Sequence, residues 1–381
     1  MRLSICIPTH NGRRETLRTL LDSILAQRNI ADDDALEICI SDNASADQTS
    51  QLIQEYQRVS PFPIKYFRFA VDVGVRNFAN VVEMASFEWC WLVGSDDVLL
   101  PNAVEAVSEA LRAYPGVGGI TVGKVNMDST LSEFKSEDHN LALPARPLET
   151  RIMTDVGELA LPFAYMSAHL FRRDDWRRVV QAYGIEYVES LRHFPHAFIF
   201  SQIAAREPWL WLGKHLVLQR LDNSCVMEAL DQQKHRYATQ VTEDLIAVAV
   251  AAYGAPRRDL LRRLFMIYWN PWLVVRYRAC LSAEEDRAIR TQCFRWFRLT
   301  PLFWVTSAPI LVLPRSIPHF FLAWLCGIEI PRSIRRTGSW AVHRTLAAFR
   351  IEKEVASRRR SAQEAANSYR IGSSNLHGDE V

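Results

Sequence analysis

The sequence lacks the features of several protein classes. Its seven cysteines are an odd number spread over 381 residues, without a Cys-X-X-Cys pair. This favours reduced thiols in the cytosol over a disulfide framework or a zinc site. The first residues pass directly into an apolar segment at 3–7 without a charged leader, so we expect no secretory signal. With 49% hydrophobic and 23% charged residues, the composition excludes a disordered chain, a collagen-like repeat and a disulfide-rich miniprotein.

The chain also lacks a large net charge, but its charges are unevenly distributed. The formal net charge is only +2. Residues 257–360 contain 20 Lys and Arg against 7 Asp and Glu, a net +13, which leaves −11 for the rest. A chain of this length has room for two domains, or for one large domain with an appendage. Its function has to explain an acidic part and a basic part.

Short apolar segments alternate with amphipathic segments through the first half of the chain. The predicted strands are residues 3–7, 36–40, 64–69, 89–93 and 119–125. Between them, apolar residues recur at helical spacing. This alternation predicts an α/β fold with a mostly parallel sheet and helices on both faces. Polar clusters follow three of the strands, and ligands bind at the carboxyl edge of such sheets.

The three polar clusters, at residues 8–11, 42–47 and 95–97, carry the candidate chemistry. In the third cluster, the adjacent carboxylates Asp96 and Asp97 repel each other unless a cation lies between them. Carboxylate oxygens are hard ligands that suit Mg²⁺ or Mn²⁺. The alternatives are a helix-capping Asx turn for the second cluster and a solvated Asp-Asp turn for the third. Three clusters at successive strand ends favour a ligand site.

These clusters resemble the signature of family 2 glycosyltransferases, which have the GT-A fold. Residues 5–11 read Ile-Cys-Ile-Pro-Thr-His-Asn, residues 40–47 read Ile-Ser-Asp-Asn-Ala-Ser-Ala-Asp, and residues 91–98 read Trp-Leu-Val-Gly-Ser-Asp-Asp-Val. Within the family, the chain looks most like the abequosyltransferase-like enzymes of O-antigen and surface-polysaccharide assembly. The resemblance covers about the first 225 residues. It implies transfer of a sugar, with inversion, from a nucleoside diphosphate-sugar donor.

The resemblance also implies roles for individual residues. Asp96 and Asp97 match the metal and donor-sugar carboxylates, and Asp42 matches the carboxylate that reads the donor base. Many relatives have Asp where this chain has Gly94, so a metal would rest on Asp96 and Asp97 alone. The positions implied to bind the donor are Pro8, Thr9, His10, Asn11, Asp42, Arg76, Asn77, Ser95, Asp96 and Arg220.

Arg220 lies where relatives place a basic residue that faces the leaving diphosphate. A guanidinium can hold two phosphate oxygens at once. The alternative is an ordinary exposed arginine.

The catalytic base is open on sequence grounds. Relatives often carry a Glu-Asp pair in the region that here reads Leu-Arg-His-Phe-Pro-His-Ala-Phe at 191–198. Inverting transfer needs a group that takes the proton of the acceptor hydroxyl. We favour His196, because imidazole titrates near neutral pH. A partly buried histidine in an aromatic-rich helix is the alternative, and Glu189, Asp174 and Asp175 are competing bases.

The second half has no uninterrupted apolar run long enough to span a membrane. Residues 299–314 carry no charge, but three prolines interrupt them, and a spanning helix needs about 20 apolar residues. Aromatic residues interleaved with arginines precede this run, and a basic amphipathic stretch follows it up to residue 360. The pattern predicts a monotopic or re-entrant element at an anionic membrane surface. Packed helices of a soluble domain or a dimer interface are the alternatives, and we expect no nucleic-acid binding.

The sequence thus predicts a GT-A domain at 1–225, a helical membrane-associating region at 226–360 and a disordered tail at 361–381. The leading hypothesis is a glycosyltransferase at the cytoplasmic face of the inner or plasma membrane. It would use Mg²⁺ or Mn²⁺ and a saccharide acceptor linked to polyprenyl diphosphate. One alternative is a catalytically degenerate module that binds nucleotide-sugar and acts as a membrane scaffold. Another is an enzyme with a soluble glycan acceptor.

Overall fold

The chain forms two compact units. The computed structural model describes residues 1–31, 34–132, 134–138, 149–153, 162–191, 194–220, 225–254, 258–280, 282–314 and 317. The first unit contains residues 1–130 and 137–263, and the second contains residues 131–136 and the chain from 264 onward. The predicted basic stretch and the predicted tail lie outside the described residues.

The strands of the described chain belong to one ten-stranded sheet. They are β1 Arg2–His10, β2 Ala35–Asn43, β3 Ile64–Arg68, β4 Trp89–Leu92, β5 Val98–Leu99, β6 Gly119–Met127, β7 Phe134–Asp138, β8 Arg151–Met153, β9 His169–Arg172 and β10 Trp209–Arg220.

The described helices alternate with the strands as far as β10, and after β10 the described elements are all helices. They are α1 Arg14–Leu25, α2 Thr49–Val59, α3 Arg76–Glu83, α4 Ala103–Ala113, α5 Arg173–Tyr183, α6 Ile185–Ser190, α7 Pro195–Ala204, α8 Cys225–Tyr253, α9 Arg258–Tyr268, α10 Pro271–Cys280, α11 Ala283–Phe297 and α12 Pro301–Val312. Helix α8 packs on α7, where Gln202 donates a hydrogen bond to the Ala251 carbonyl. The first unit therefore extends past residue 225, the domain boundary expected from the sequence.

The sheet is mixed, which corrects the prediction of a mostly parallel sheet. Its main strand order is β3-β2-β1-β4-β9-β6-β10-β5. Strands β1 to β4 are parallel to their neighbours within that group, as predicted. Strand β9 is antiparallel to both β4 and β6. The alternation of strands and helices in the sequence does not predict that β9 inserts between β4 and β6. The position of β9 depends on where the returning chain finds an unpaired strand edge.

The strand order places a crevice at one edge of the sheet. The chain runs outward from β1 to β3 and then returns to the other side of β1 as β4. Ligands of open α/β sheets bind at such a reversal, outside the carboxyl ends of the strands. The register between β1 and β2 sets Thr9 opposite Asp42 there. Two of the predicted clusters are therefore brought together by backbone pairing alone.

The apolar runs of β1, β2 and β4 are buried along nearly their whole length. Strands covered on both faces have continuous apolar sequences rather than alternating ones. Helix α1 buries four aliphatic side chains on the same core, which are Leu17, Leu20, Leu21 and Ile24. The polar ends of these strands are thus held by a rigid support.

The second unit is a helical packing around aromatic rings. Phe265, Phe297 and Phe303 contact one another with ring centroids 5.6 to 6.0 Å apart. The buried Arg278 guanidinium donates to Asp286 at 2.6 Å and so fixes α10 against α11. Part of the aromatic run predicted to be interfacial therefore forms a core. In the described part of the chain, no helix combines the length and apolarity that crossing a membrane requires.

Candidate active site

A cavity of about 590 Å³ opens at the carboxyl edge of β1, β2 and β4. Its volume is in the range of small-molecule and cofactor sites. It is lined by Pro8, His10, Asn11, Arg13, Asn43, Ala44, Asp72, Gly74, Val75, Asn77, Phe78, Gly94, Ser95, Asp96 and Met166. All three predicted clusters contribute to the wall. Thr9, Asp42 and Asp97 belong to the same clusters but do not line the cavity.

Asp42 is fully buried at the end of β2 and supports the wall from behind. Its carboxylate accepts hydrogen bonds from the Tyr66 hydroxyl at 2.8 Å and the Ser45 amide at 3.0 Å. Burial and the Asp42 charge raise the pKa of Tyr66, so the hydroxyl keeps its proton and donates. The Asp42 carboxylate therefore closes a turn with Ser45, and this turn sets the direction of Asn43 and Ala44, which line the cavity. It is not the helix-capping turn of the alternative, because α2 begins at Thr49 after Gln48 without a side-chain cap.

Side-chain hydrogen bonds join the loops that follow β1, β2 and β3. The Asn43 amide donates to Asp72 at 2.6 Å and accepts from the Val73 backbone amide at 2.8 Å. The Asn11 side chain accepts from the Ala46 backbone amide at 2.9 Å. These bonds hold three separate loops as one wall. Sequence reasoning gave no individual role to Asn43, although it stands in the second polar cluster, and it missed Asp72, which follows the third predicted strand.

Asn77 closes the cavity beside β1. It is buried, and its side-chain amide donates to the Thr9 carbonyl at 3.2 Å. The Asn77 Oδ1 and Thr9 Oγ1 atoms are buried without a hydrogen-bond partner. Buried polar atoms in this state are rare in folded proteins and need an explanation. Because Asn77 is at the cavity wall, a ligand that donates a hydrogen bond to Asn77 would provide such an explanation.

The two adjacent carboxylates occupy different environments. Asp96 lines the cavity, where its Oδ2 lies 2.7 Å from Nη1 of Arg13. Asp97 is only 4% exposed and accepts a hydrogen bond from the Ser167 hydroxyl. Burial, followed by the Asp96 charge, raises the pKa of Asp97 to about 7. The pair therefore does not hold two full negative charges at neutral pH without a compensating cation.

Gly94 leaves room for this pair of carboxylates. A Cβ atom at position 94 would lie 3.0 Å from Asp96 Oδ1 and 3.1 Å from Asp97 Oδ2. A side chain there would push on both oxygens. No group of three His, Cys, Asp or Glu residues that could hold a metal is found among the described residues. Two carboxylates nevertheless fit Mg²⁺, which keeps few protein ligands and shares substrate phosphates.

Comparisons with known proteins identify relatives of this chain. Residues 4–179 match the model of glycosyl transferase family 2. They form a family 2 glycosyltransferase domain. The chain is similar to the abequosyltransferase RfbV of Salmonella typhimurium, with 29% identity over 303 residues that cover 75% of this chain and 86% of the relative. The resemblance noted in the sequence is thereby confirmed, and the chain is a glycosyltransferase.

Solved structures support the fold. The fold matches TarS residues 1–349 of S. aureus in complex with UDP, with a TM-score of 0.57 and 13% identity. The match covers 87% of this chain and 95% of TarS 1–349. TarS 1–349 without a named ligand gives a TM-score of 0.58 at 12% identity, covering 86% and 92% of the two chains. The α/β glycosyltransferase fold predicted from the sequence is therefore confirmed.

Two predicted arginines of the glycosyltransferase lie away from the cavity wall. Arg76 is exposed, and its guanidinium contacts Glu189 at 2.7 Å. Arg220 donates to the Ser129 carbonyl at 3.0 Å. Burial lowers the pKa of Arg220, and the charges of Asp96, Asp97 and Asp128 oppose that shift. Arg220 is thus within the electrostatic reach of both site carboxylates, whereas Arg76 is engaged elsewhere.

His196 is buried in α7 among aromatic rings. Its Nε2 atom lies 3.2 Å from the Ala164 carbonyl oxygen. The rings of Phe78 and Phe200 have centroids 6.1 and 5.8 Å from the imidazole. Burial lowers the pKa of His196 to about 4, so the ring is neutral at pH 7. Phe78 lines the cavity and His196 does not.

The competing bases are engaged in ion pairs. Glu189 contacts Arg76 at 2.7 Å, and Asp175 contacts Arg178 at 2.6 Å. Asp174 is exposed beside Arg173 at 3.6 Å. None of these three carboxylates lines the cavity. The assignment of His196 as the base stays a prediction.

We expect His196→Asn to weaken the pH dependence of the free energy of unfolding between about pH 6.5 and 4. The unfolded chain binds a proton at its ordinary imidazole pKa, whereas the folded ring binds one only near pH 4. The stability that neutral His196 provides is therefore complete above pH 6.5 and is lost as the pH falls towards 4. Denaturant unfolding at several pH values measures this difference.

Parallel pH profiles for the variant and the wild type would contradict the buried neutral ring. The same variant tests the base assignment. Loss of a general base lowers the rate of transfer by roughly 10²–10⁴-fold, whereas a change confined to packing leaves the rate of the folded enzyme largely intact.

Proposed function

We propose that this glycosyltransferase takes a sugar from a nucleoside diphosphate-sugar and transfers it with inversion to a saccharide acceptor. The observation that carries the proposal is the meeting of Asp96 with the polar loops after β1 and β2 around one cavity. Such a cavity can hold a nucleotide against the loops and present its diphosphate to the carboxylates. The UDP named with S. aureus TarS fits the same class of donor.

A divalent cation, Mg²⁺ or Mn²⁺, is part of the proposal. Asp96 and Asp97 would hold it, with diphosphate oxygens completing its shell. The raised pKa of Asp97 supports this assignment, because the burial and the Asp96 charge that cause it call for a cation. When bound, the cation would stabilise the negative charge that develops on the leaving diphosphate.

The chain's own residues supply the remaining interactions with the donor. Asn77 offers a buried oxygen without a partner at the wall, which suits a donor hydroxyl or amino group. Arg220 lies within electrostatic reach of Asp96 and Asp97, and its guanidinium suits the leaving diphosphate. Asp42 and Tyr66 hold the loop after β2 in place. We propose that this loop reads the donor base.

The second unit and the family resemblance support a proposal for the acceptor and the location. We propose a saccharide linked to polyprenyl diphosphate in surface-polysaccharide synthesis, at the cytoplasmic face of the membrane. Helix α12 supports this, because its exposed side chains are apolar: Leu302, Trp304, Val305 and Val312. The exposed Arg295 and Arg298 precede them in the chain. Tryptophan and arginine beside apolar residues favour the headgroup level of a bilayer.

A degenerate module that binds nucleotide-sugar without turnover is the second candidate. The glycine at position 94 and the absence of the competing bases from the cavity wall favour it. Turnover of any nucleotide-sugar by the purified chain would exclude this candidate. Nucleotide binding without turnover, in the presence of an acceptor extract, would support it.

We expect Asp97→Asn to lower sugar transfer and donor hydrolysis by roughly 10²-fold or more, because the site loses the charge that holds the cation and diphosphate. The measurement is release of nucleoside diphosphate by the folded variant, with far-ultraviolet circular dichroism as the check on folding. Glu55→Gln is the control, since Glu55 is an exposed carboxylate of α2 outside the cavity. Wild-type turnover in Asp97→Asn would refute the proposed site.

We expect the double variant Leu302→Glu with Val305→Glu to reduce flotation with anionic vesicles by about half or more, since charged side chains on an inserting face oppose burial in the headgroup region. Vesicles of phosphatidylglycerol and phosphatidylethanolamine are the probe. Thr291→Glu, at an exposed polar position of α11, controls for added charge. Equal recovery of all three proteins with the vesicles would show that α12 is not the docking surface.

A further inference from the structure

Arg13 stands in the cavity wall at a position that no expectation from the sequence assigned to the site. It follows Gly12, whose φ of +80° lies in the left-handed region that favours glycine. The residue is only 8% exposed. Its Nη1 atom lies 2.7 Å from Asp96 Oδ2. A partly buried charge-assisted hydrogen bond of this length holds both side chains in place.

Arg13 supplies positive charge at the place where a cation would bind. Asp96 and Asp97 are adjacent, and Gly94 provides no third carboxylate. One oxygen of Asp96 is already engaged by Arg13, and one oxygen of Asp97 is engaged by Ser167. A metal that used Asp96 Oδ2 would therefore have to displace the guanidinium. Arg13 and a metal held by Asp96 would therefore compete for the charge of the same carboxylate.

The displaced guanidinium would remain at the cavity. It carries five N–H donors in a planar fork that matches phosphate as well as carboxylate. A diphosphate that approaches Asp96 and Asp97 brings negative charge next to Arg13. The guanidinium would then gain the diphosphate as a partner where it loses Asp96.

We propose that Arg13 is a further donor-binding residue, shared between Asp96 in the free enzyme and the diphosphate of the donor in the complex. This inference rests on the proposed function, because it needs a donor with a diphosphate. Arg13 then has opposite effects on the binding of two ligands. Arg13 strengthens binding of a nucleoside diphosphate without metal, and it weakens binding of the metal without nucleotide.

The test uses isothermal titration calorimetry on the full chain. CDP, UDP, GDP and dTDP are titrated in EDTA, and Mn²⁺ alone is titrated into the metal-free protein. For Arg13→Gln we expect the affinity for the best-bound nucleotide in EDTA to fall about tenfold or more, as for loss of a hydrogen bond to a charged group. We expect Mn²⁺ to bind several-fold more tightly, because Asp96 is released.

Two further variants make the result specific. Arg13→Lys keeps the charge beside Asp96 but not the planar fork, so we expect changes in the same directions and of smaller size. It also carries the test if Arg13→Gln fails to fold. Arg14→Gln removes the neighbouring arginine, which is paired with Glu15 and does not line the cavity. We expect it to behave as the wild type in both titrations.

The outcomes separate the inference from the proposed function. If the wild type binds a nucleotide and the Arg13 variants bind it and Mn²⁺ with unchanged affinity, the role of Arg13 is overturned while the proposed function stands. If the wild type binds none of the four nucleotides, with or without Mn²⁺, the proposed donor fails and the inference falls with it. Weaker nucleotide binding together with weaker Mn²⁺ binding in the Arg13 variants would overturn the competition for Asp96.

Discussion

The repulsion between Asp96 and Asp97 is the constraint on which the rest of the site depends. Three neighbouring residues reduce the energetic cost of this repulsion, each in a different way. Gly94 adds no atoms between the two carboxylates, Ser167 donates to Asp97, and Arg13 neutralises Asp96. The burial of Asp97 and the remaining repulsion from Asp96 together raise the pKa of Asp97. Folding thus maintains a pair of carboxylates whose repulsion a cation would relieve, as the proposed site for a cation and a diphosphate requires.

The sequence predicts the part of the site that backbone pairing determines. A buried parallel strand has a continuous apolar run, so the ends of β1, β2 and β4 can be read from the residues that follow them. Because parallel strands share an edge, Asn11, Asn43 and Ser95 had to meet there. The wall formed by Asp72 was missed because it depends on a hydrogen bond with Asn43, 29 residues earlier in the chain. Sequence spacing does not carry such a contact.

Residue type predicts the chemistry a side chain can perform, and its partners decide whether that chemistry is available. Arg76 follows a loop at the cavity, yet its guanidinium contacts Glu189, which is 113 residues further along the chain. His196 has a suitable side chain, yet aromatic neighbours surround it and burial lowers its pKa to about 4. The antiparallel β9 is a similar case in the fold. In each case the decisive contact joins residues that are far apart in the chain, and a local sequence pattern does not predict such a contact.

The basic residues of the second half differ in burial, and only exposed ones can contact a membrane. Arg278 contributes to the count of 20 basic residues in 257–360, but it is buried and paired with Asp286. Arg290 lies 3.6 Å from the same carboxylate. Arg278 holds α10 to α11 and offers little charge to a partner, whereas Arg290 is paired within α11 itself. The proposed membrane surface is therefore supported more by α12, where Val305 is 74% exposed although the opposite face of the helix is buried. Because one face of this apolar helix is covered, the face left exposed is defined, and an exposed apolar face is typical of an interaction surface.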